Sequence, residues 1–191
     1  MLKTHVNRCS WPTNDEQYLT YHDQEWGRVV HDDRRLFEQL VLEGAQAGLS
    51  WLTILKRRHH YKRVFCQYDV VRLAAFTEYD VAQALQDKGI IRNRLKVQSV
   101  VNNAEKFIKI QQDFGSFDAY IWGFVGGVTR VNQFEHNDNV PAQTDLSVLI
   151  AKDLKKRGFK FVGPIGMYAY MQSIGMVNDH LKSCFCHAEC C

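Results

Sequence analysis

Proline is scarce in this 191-residue chain: Pro12, Pro141 and Pro164 are the only three, and no Gly/Ser-rich linker, repeat or low-complexity stretch interrupts the sequence. Nothing therefore marks a seam between separately tethered parts, and one compact unit spanning residues 1–191 is the expectation at this length. Long apolar runs are also missing. None approaches the roughly 18 residues of a membrane-crossing helix, and residues 1–8 lack the apolar stretch of an exported protein, so a cytoplasmic protein with no membrane partner is expected. In a reducing compartment the six cysteines read as thiols or metal ligands in preference to disulfides. Excess charge is lacking too. The net charge is only +3, so any attraction for nucleic acid must come from local clusters of Lys and Arg.

What the chain does have is helical periodicity without βαβ alternation. Leu36, Phe37, Leu40 and Val41 form one apolar stripe; Val97, Val100, Val101, Ala104, Phe107 and Ile108 form a longer one. Asp80 with Gln83 resembles a capping box opening a helix that Gly89 closes. Phe107, Phe117 and Trp122 read as core aromatics. Thr144 is placed to N-cap a helix with core face Leu146, Leu149, Ile150 and Leu154, ended by Lys155-Lys156-Arg157 and Gly158. Pro164 suits the first turn of the next helix, which runs through Tyr168, Met171 and Gln172 to Gly175. Over residues 145–175 this is a helix-hairpin-helix pattern. In such a hairpin Gly158 and Gly163 let the backbone approach a DNA phosphate, main-chain N–H groups bind it without regard to base, and Lys160 adds charge. An ordinary αα-hairpin with a solvated basic turn fits the same residues. Arg92, Arg94 and Lys96 form either a second basic patch or a solvated helix face.

Two constellations carry chemistry. Cys9 and His22 near one end, with the H-x3-C pair His180 and Cys184 near the other, suit a tetrahedral Cys2His2 zinc site linking segments 8–26 and 176–191. Cys186, His187, Cys190 and Cys191 crowd the same tail as alternative ligands. Four protein ligands leave no open position for an activated water, which makes the role structural. Asp179 precedes His180 and is expected to orient it; a catalytic role is the lesser alternative. The second constellation centres on Glu43, at the edge of the Leu36–Leu40 stripe, where an ionised side chain needs a partner or a pocket. Trp11, Tyr18, Tyr21, Trp26 and Trp51 lie in the flanking segments, and aromatic faces around a carboxylate suit a cationic ring.

The strings Arg8-Cys9-Ser10-Trp11, Tyr21-His22-Asp23-Gln24-Glu25-Trp26-Gly27 and Glu43-Gly44-Ala45-Gln46-Ala47-Gly48-Leu49-Ser50-Trp51 resemble those of the bacterial 3-methyladenine DNA glycosylase I family. So do Gly89-Ile90-Ile91-Arg92, residues 155–163, and Val177-Asn178-Asp179-His180, all in the family's order. The resemblance implies an all-α, two-lobed helix-hairpin-helix glycosylase fold, with structural Zn2+ on Cys9, His22, His180 and Cys184. It implies a base pocket lined by Glu43, Tyr21 and Trp51, with Tyr18, Trp11 and Trp26 as further lining. It also implies DNA contacts at Gly158, Lys160 and Gly163, and a Gly48-Leu49 element probing the gap left by a flipped base. The implied partner is double-stranded alkylated DNA bound by a monomer. The implied reaction is monofunctional release of 3-methyladenine, with ionised Glu43 accepting hydrogen bonds from the cationic base. Ala45, where a polar residue is more usual, is the departure beside the pocket.

Overall fold

The computed structural model describes residues 6–190; residues 1–5 and Cys191, one of the candidate tail ligands, lie outside the described part. The described chain is predominantly helical. In order run α1 (Glu16–Gln24), α2 (Asp33–Gln46), α3 (Trp51–Leu55), α4 (Arg58–Val64), α5 (Val70–Ala74), α6 (Glu78–Ala84), α7 (Arg94–Phe114), α8 (Phe117–Gly123), α9 (Asp145–Lys156), α10 (Pro164–Ser173) and α11 (Cys186–Glu189). Two 3-10 turns, Cys66–Tyr68 and Asn137–Asn139, fill connections. A parallel pair of two-residue strands, β1 (Arg130–Val131) and β2 (Val177–Asn178), was not anticipated; its partners are 47 positions apart, too far for local periodicity to reveal.

Most helices begin where a side chain satisfies free backbone N–H groups. Asp15 caps α1, Asp32 caps α2, Ser50 caps α3 and Asn93 caps α7. Thr144 caps α9 through a reciprocal box with Ser147, as its sequence suggested. The Asp80 expectation is corrected: the cap is Thr77, Asp80 is its reciprocal partner, and α6 ends at Ala84, well short of Gly89. α2 runs through the main core, packed by α7, α8 and α10. Leu36, Phe37, Leu40 and Val41 are buried there with Val97, Val100, Phe107, Phe117 and Trp122. Leu149 is a second correction: at 53% exposure it faces solvent, while Ile150 and Leu154 hold the core face of α9. A smaller cluster around Cys9, Leu181, Cys184 and Cys186 joins the two ends of the chain.

Candidate functional site

α1, α2 and α3 converge on a cavity of about 330 Å³, at the low end of the range for small-ligand sites, roughly 300–1,000 Å³. The capped start of α1 sets Tyr18, Tyr21 and His22 on one side, α2 brings Glu43, and the Ser50 cap puts Trp51 at the first position of α3. All six residues singled out for the pocket, Trp11, Tyr18, Tyr21, Trp26, Glu43 and Trp51, line this one cavity. The rings of Tyr21 and Trp51 lie 5.3 Å apart, and Trp11 stands 5.2 Å from Tyr18 and 5.0 Å from Trp26. The rings thus form two groups on the cavity, Tyr21 with Trp51 and Trp11 with Tyr18 and Trp26.

Glu43 is the acid in this wall, and it is deeper than the edge position expected of it, at 6% exposure. Burial pushes its carboxyl up to about 8, because a low-dielectric surround penalises the charged form. The expectation of a standing anion is thereby modified. Burial favours the neutral form of this acid. Tyr21 feels the same environment: burial first, then Glu43, raises its hydroxyl well above the ordinary value.

Asp179 also lines the cavity, and its partner is not His180. Its carboxylate accepts from Tyr168 Oη at 2.6 Å, Gln172 Nε2 at 2.8 Å and Asn132 Nδ2 at 2.6 Å. The expected role as orienter of the neighbouring histidine is corrected by these bonds. Alternation about an extended segment sends Asp179 towards α10 and the ring of His180 the other way.

Cys9, His22, His180 and Cys184 are all buried, and one ligand atom from each lies within 4.8 Å of the others. Cys184 Sγ is 3.6 Å from both His22 Nε2 and His180 Nδ1, and Cys9 Sγ is 3.7 Å from His180 Nδ1. Sulfur and nitrogen bound tetrahedrally to zinc at roughly 2.3 and 2.0–2.1 Å stand about 3.5–3.6 Å apart, so the residues fit that ion. The other ring nitrogens are occupied as metal-binding histidines require: His22 Nδ1 by Asp23 Oδ1 at 2.8 Å, His180 Nε2 by the Trp26 carbonyl at 3.0 Å. Hydrogen bonds from Cys186 and Cys9, then His180 and His22, pull the Cys184 thiol far below its ordinary range. Gly27 permits this packing: its φ is +78°, and a Cβ there would stand 3.0 Å from the His180 ring. Among the tail alternatives, His187 Nε2 is bonded to the Asn132 carbonyl at 2.9 Å, and Cys186 Sγ faces the backbone oxygens of His22 and Asp23. A second possible set, His22, Asp23 and Cys186, shares His22, and its Asp23 is already engaged by Arg8 at 2.7–3.0 Å. The four-residue set is the stronger. Through the ring pairs Trp11–His22 and Trp26–His180, it also props the cavity wall.

α9 and α10 pack as a hairpin over the connector 157–163. Gly158, at φ +92°, terminates α9 as expected. The connector's other left-handed residue is Phe161, at φ +56°, and not Gly163, whose φ of −73° is ordinary. Gly163 matters for another reason. A Cβ there would meet nothing within 4 Å, so the space before the first turn of α10 is open. Lys160 is exposed beside it, and Gly48-Leu49 tip the turn between α2 and α3. The hairpin and this turn are separate features of the surface, neither of them part of the cavity lining.

The match to known proteins runs through nearly all of this architecture. A family model described as methyladenine glycosylase covers residues 11–187. The chain belongs to the methyladenine glycosylase family. It is accordingly an enzyme, a hydrolase of N-glycosyl bonds. It is 44% identical over 182 residues to DNA-3-methyladenine glycosylase 1 of Escherichia coli (strain K12), covering 95% of this chain and 97% of that one. A crystal structure of a 3-methyladenine DNA glycosylase I superposes with a TM-score of 0.93 at 48% identity, covering 95% of this chain and 100% of that chain. The Staphylococcus aureus enzyme, whose structure addresses 3-methyladenine recognition, superposes at 0.91 with 37% identity, covering 94% and 96%.

Sequence reasoning about this glycosylase missed the polar part of its cavity: Gln46, Asn137 and Gln172 line it too. Gln46 lay within reach of inference, since it follows Glu43 by three positions on α2. Asn137 did not, because its loop is brought over the cavity by a hydrogen bond to Ser10 across 127 positions.

Proposed function

We propose that this glycosylase hydrolyses the N-glycosidic bond of 3-methyladenine in double-stranded alkylated DNA, releasing the free base and leaving an abasic site. The single observation that carries this reading is Glu43, a carboxyl buried in an aromatic-walled cavity where burial penalises its charged form. Methylation at N3 makes the purine cationic and already a good leaving group, so the enzyme needs selective binding and a water more than a strong general acid. A flipped cationic base stacks on Trp51 and Tyr21, while Glu43 ionises, offsets the charge and accepts hydrogen bonds from the base edge. Neutral adenine gains neither electrostatic term. Asp179, the second carboxylate on the cavity, faces the positive charge that moves to the sugar as the bond breaks.

The chemistry is monofunctional in this reading. Among the described residues lining the cavity there is no lysine, and strand-cleaving glycosylases need an amine nucleophile. Zinc on Cys9, His22, His180 and Cys184 is structural: with four protein ligands it cross-links the two ends of the chain and has no position for water. The hairpin of α9 and α10, with Gly158, Lys160 and Gly163, holds a DNA phosphate, and Gly48-Leu49 enters the gap left by the flipped nucleotide. The protein acts as a cytoplasmic monomer built as one two-lobed helix-hairpin-helix domain. Incubation with methylated duplex DNA tests the proposal. Free 3-methyladenine and intact, abasic strands are expected; binding without base release would refute catalysis, and strand scission by the protein alone would refute the monofunctional mechanism.

A further inference from the structure

α2 ends without a basic residue in its last turn, although the carbonyl end of a helix carries partial negative charge that a cation stabilises. The cation comes from elsewhere. Lys96, in the first turn of α7, donates from Nζ to the Ala45 carbonyl at 2.8 Å and the Ala47 carbonyl at 2.7 Å, across 51 and 49 positions of sequence. The reading of Lys96 as part of a basic patch or a solvated face is therefore replaced. Burial lowers its ammonium's pKa, so the contact is held against a desolvation cost.

The backbone it grips leads directly into the turn carrying Gly48 and Leu49. Gln46 closes that turn, with Nε2 on the Leu49 carbonyl at 3.0 Å and its own carbonyl accepting from Leu49 N at 2.7 Å. Ser50 then caps α3 ahead of Trp51. One short turn thus joins the helix of Glu43 to the helix of Trp51 and bears a partly exposed leucine at its tip. Two turns further along α7, Asn103 clasps the Lys160 backbone with both ends of its amide, at 2.8 and 3.0 Å, and Asn102 Nδ2 reaches the Gly158 carbonyl at 2.9 Å. Seven residues of helix, roughly 10 Å, separate the two grips.

We propose that Lys96 is a positioning residue for excision from duplex DNA, with α7 acting as a ruler. Lys96 fixes the 45–49 turn, Asn102 and Asn103 fix the 158–160 connector, and the rigid helix between them sets the spacing of the base-probing turn from the phosphate-binding hairpin. The proposal rests on the reading of both loops as DNA contacts. Of the cavity lining the turn carries only Gln46 at its start and Trp51 at its end, while the rest of the aromatic wall comes from α1 and the segments on either side of it. Loss of Lys96 therefore uncouples two activities that a general weakening of the fold would lower together.

The test is Lys96→Met, which keeps the aliphatic stem and removes the ammonium. Free 3-methyladenine binding is read by tryptophan fluorescence, affinity for undamaged duplex by anisotropy, and base release from methylated duplex by single-turnover kinetics. Free-base affinity within twofold of wild type, duplex affinity within threefold and a release rate at least tenfold lower are expected, with Lys96→Arg recovering part of the rate. A wild-type release rate in K96M overturns the proposal, as does a free-base affinity that falls in step with the rate. Should K96M not fold, Asn102→Ala carries the test from the other grip: the same split, at least threefold, is expected, and its absence overturns the ruler. A wild-type protein that binds duplex yet releases no base refutes the glycosylase reading as well, and that result is obtained before any variant is made.

Discussion

Replacing Glu43 by glutamine should stabilise the empty protein, increasingly so as pH rises. The Glu43 carboxyl is raised from its ordinary 4.5 to about 8 by burial alone. For an acid raised in the folded state, the folded chain holds its proton over an interval in which the unfolded chain has lost it. Its contribution is fully present below pH 4.5 and is lost as pH rises through about 8. The interval is about 3.5 pH units at about 1.36 kcal/mol each, so the total penalty above pH 8 is on the order of 5 kcal/mol. Glutamine has a similar shape and cannot ionise. Between pH 5 and 7 the stability of wild type relative to Glu43→Gln should therefore fall by about 3 kcal/mol, which for a chain of this size is roughly 5–10 °C in Tm. Thermal melts of both proteins at pH 5, 6, 7 and 8 measure this difference, and every other titrating group cancels in the comparison. A Tm difference that stays constant from pH 5 to 8 would refute the claim that Glu43 is a buried neutral acid in the empty cavity, and with it the idea that cation binding and ionisation are coupled there.

Three further outcomes follow from the same geometry. Chelation of zinc should destabilise the fold, by about 4 kcal/mol if free metal stands at about a thousand times its Kd, while molecules that stay folded keep releasing base; loss of activity with an unchanged melt would instead indicate a catalytic ion. Trp51→Ala should weaken binding of the methylated base by about 0.5–2 kcal/mol, the range of a cation–π contact, and leave affinity for undamaged duplex alone; equal losses on both would place Trp51 on the DNA backbone. Lys160→Ala should lower affinity for all duplexes alike and reduce the slope of log K against log salt by about 1; an unchanged slope would show that Lys160 meets no phosphate.

Much of the helical framework was legible because its causes are local. Thr144, Pro164 and Gly158 act within one turn of themselves, and the stripes on α2 and α7 are read off at a spacing of three and four residues. Where local signals competed, the reading slipped: Thr77 and Asp80 both suit a cap, and only the chain geometry of α6 makes Thr77 the one that accepts from Asp80 N. Leu149 fits the α9 stripe by spacing, yet among the described residues nothing covers that side of the helix, so it stays exposed.

By itself, then, the chain's order of residues determined that helices dominate, where several of them begin, and which aromatic, acidic and thiol side chains are the chemically telling ones. Tertiary structure decided what those side chains experience. A carboxyl's protonation depends on how much water its neighbours exclude, so the neutral state of Glu43 comes from the packing around α2. Partners such as Lys96 on the end of α2, Asn132 on Asp179, and the Cys184 thiol on His22 are chosen by which surfaces meet when distant segments pack. Such meetings are set by the energy of the whole folded chain, and no window of neighbouring residues contains it.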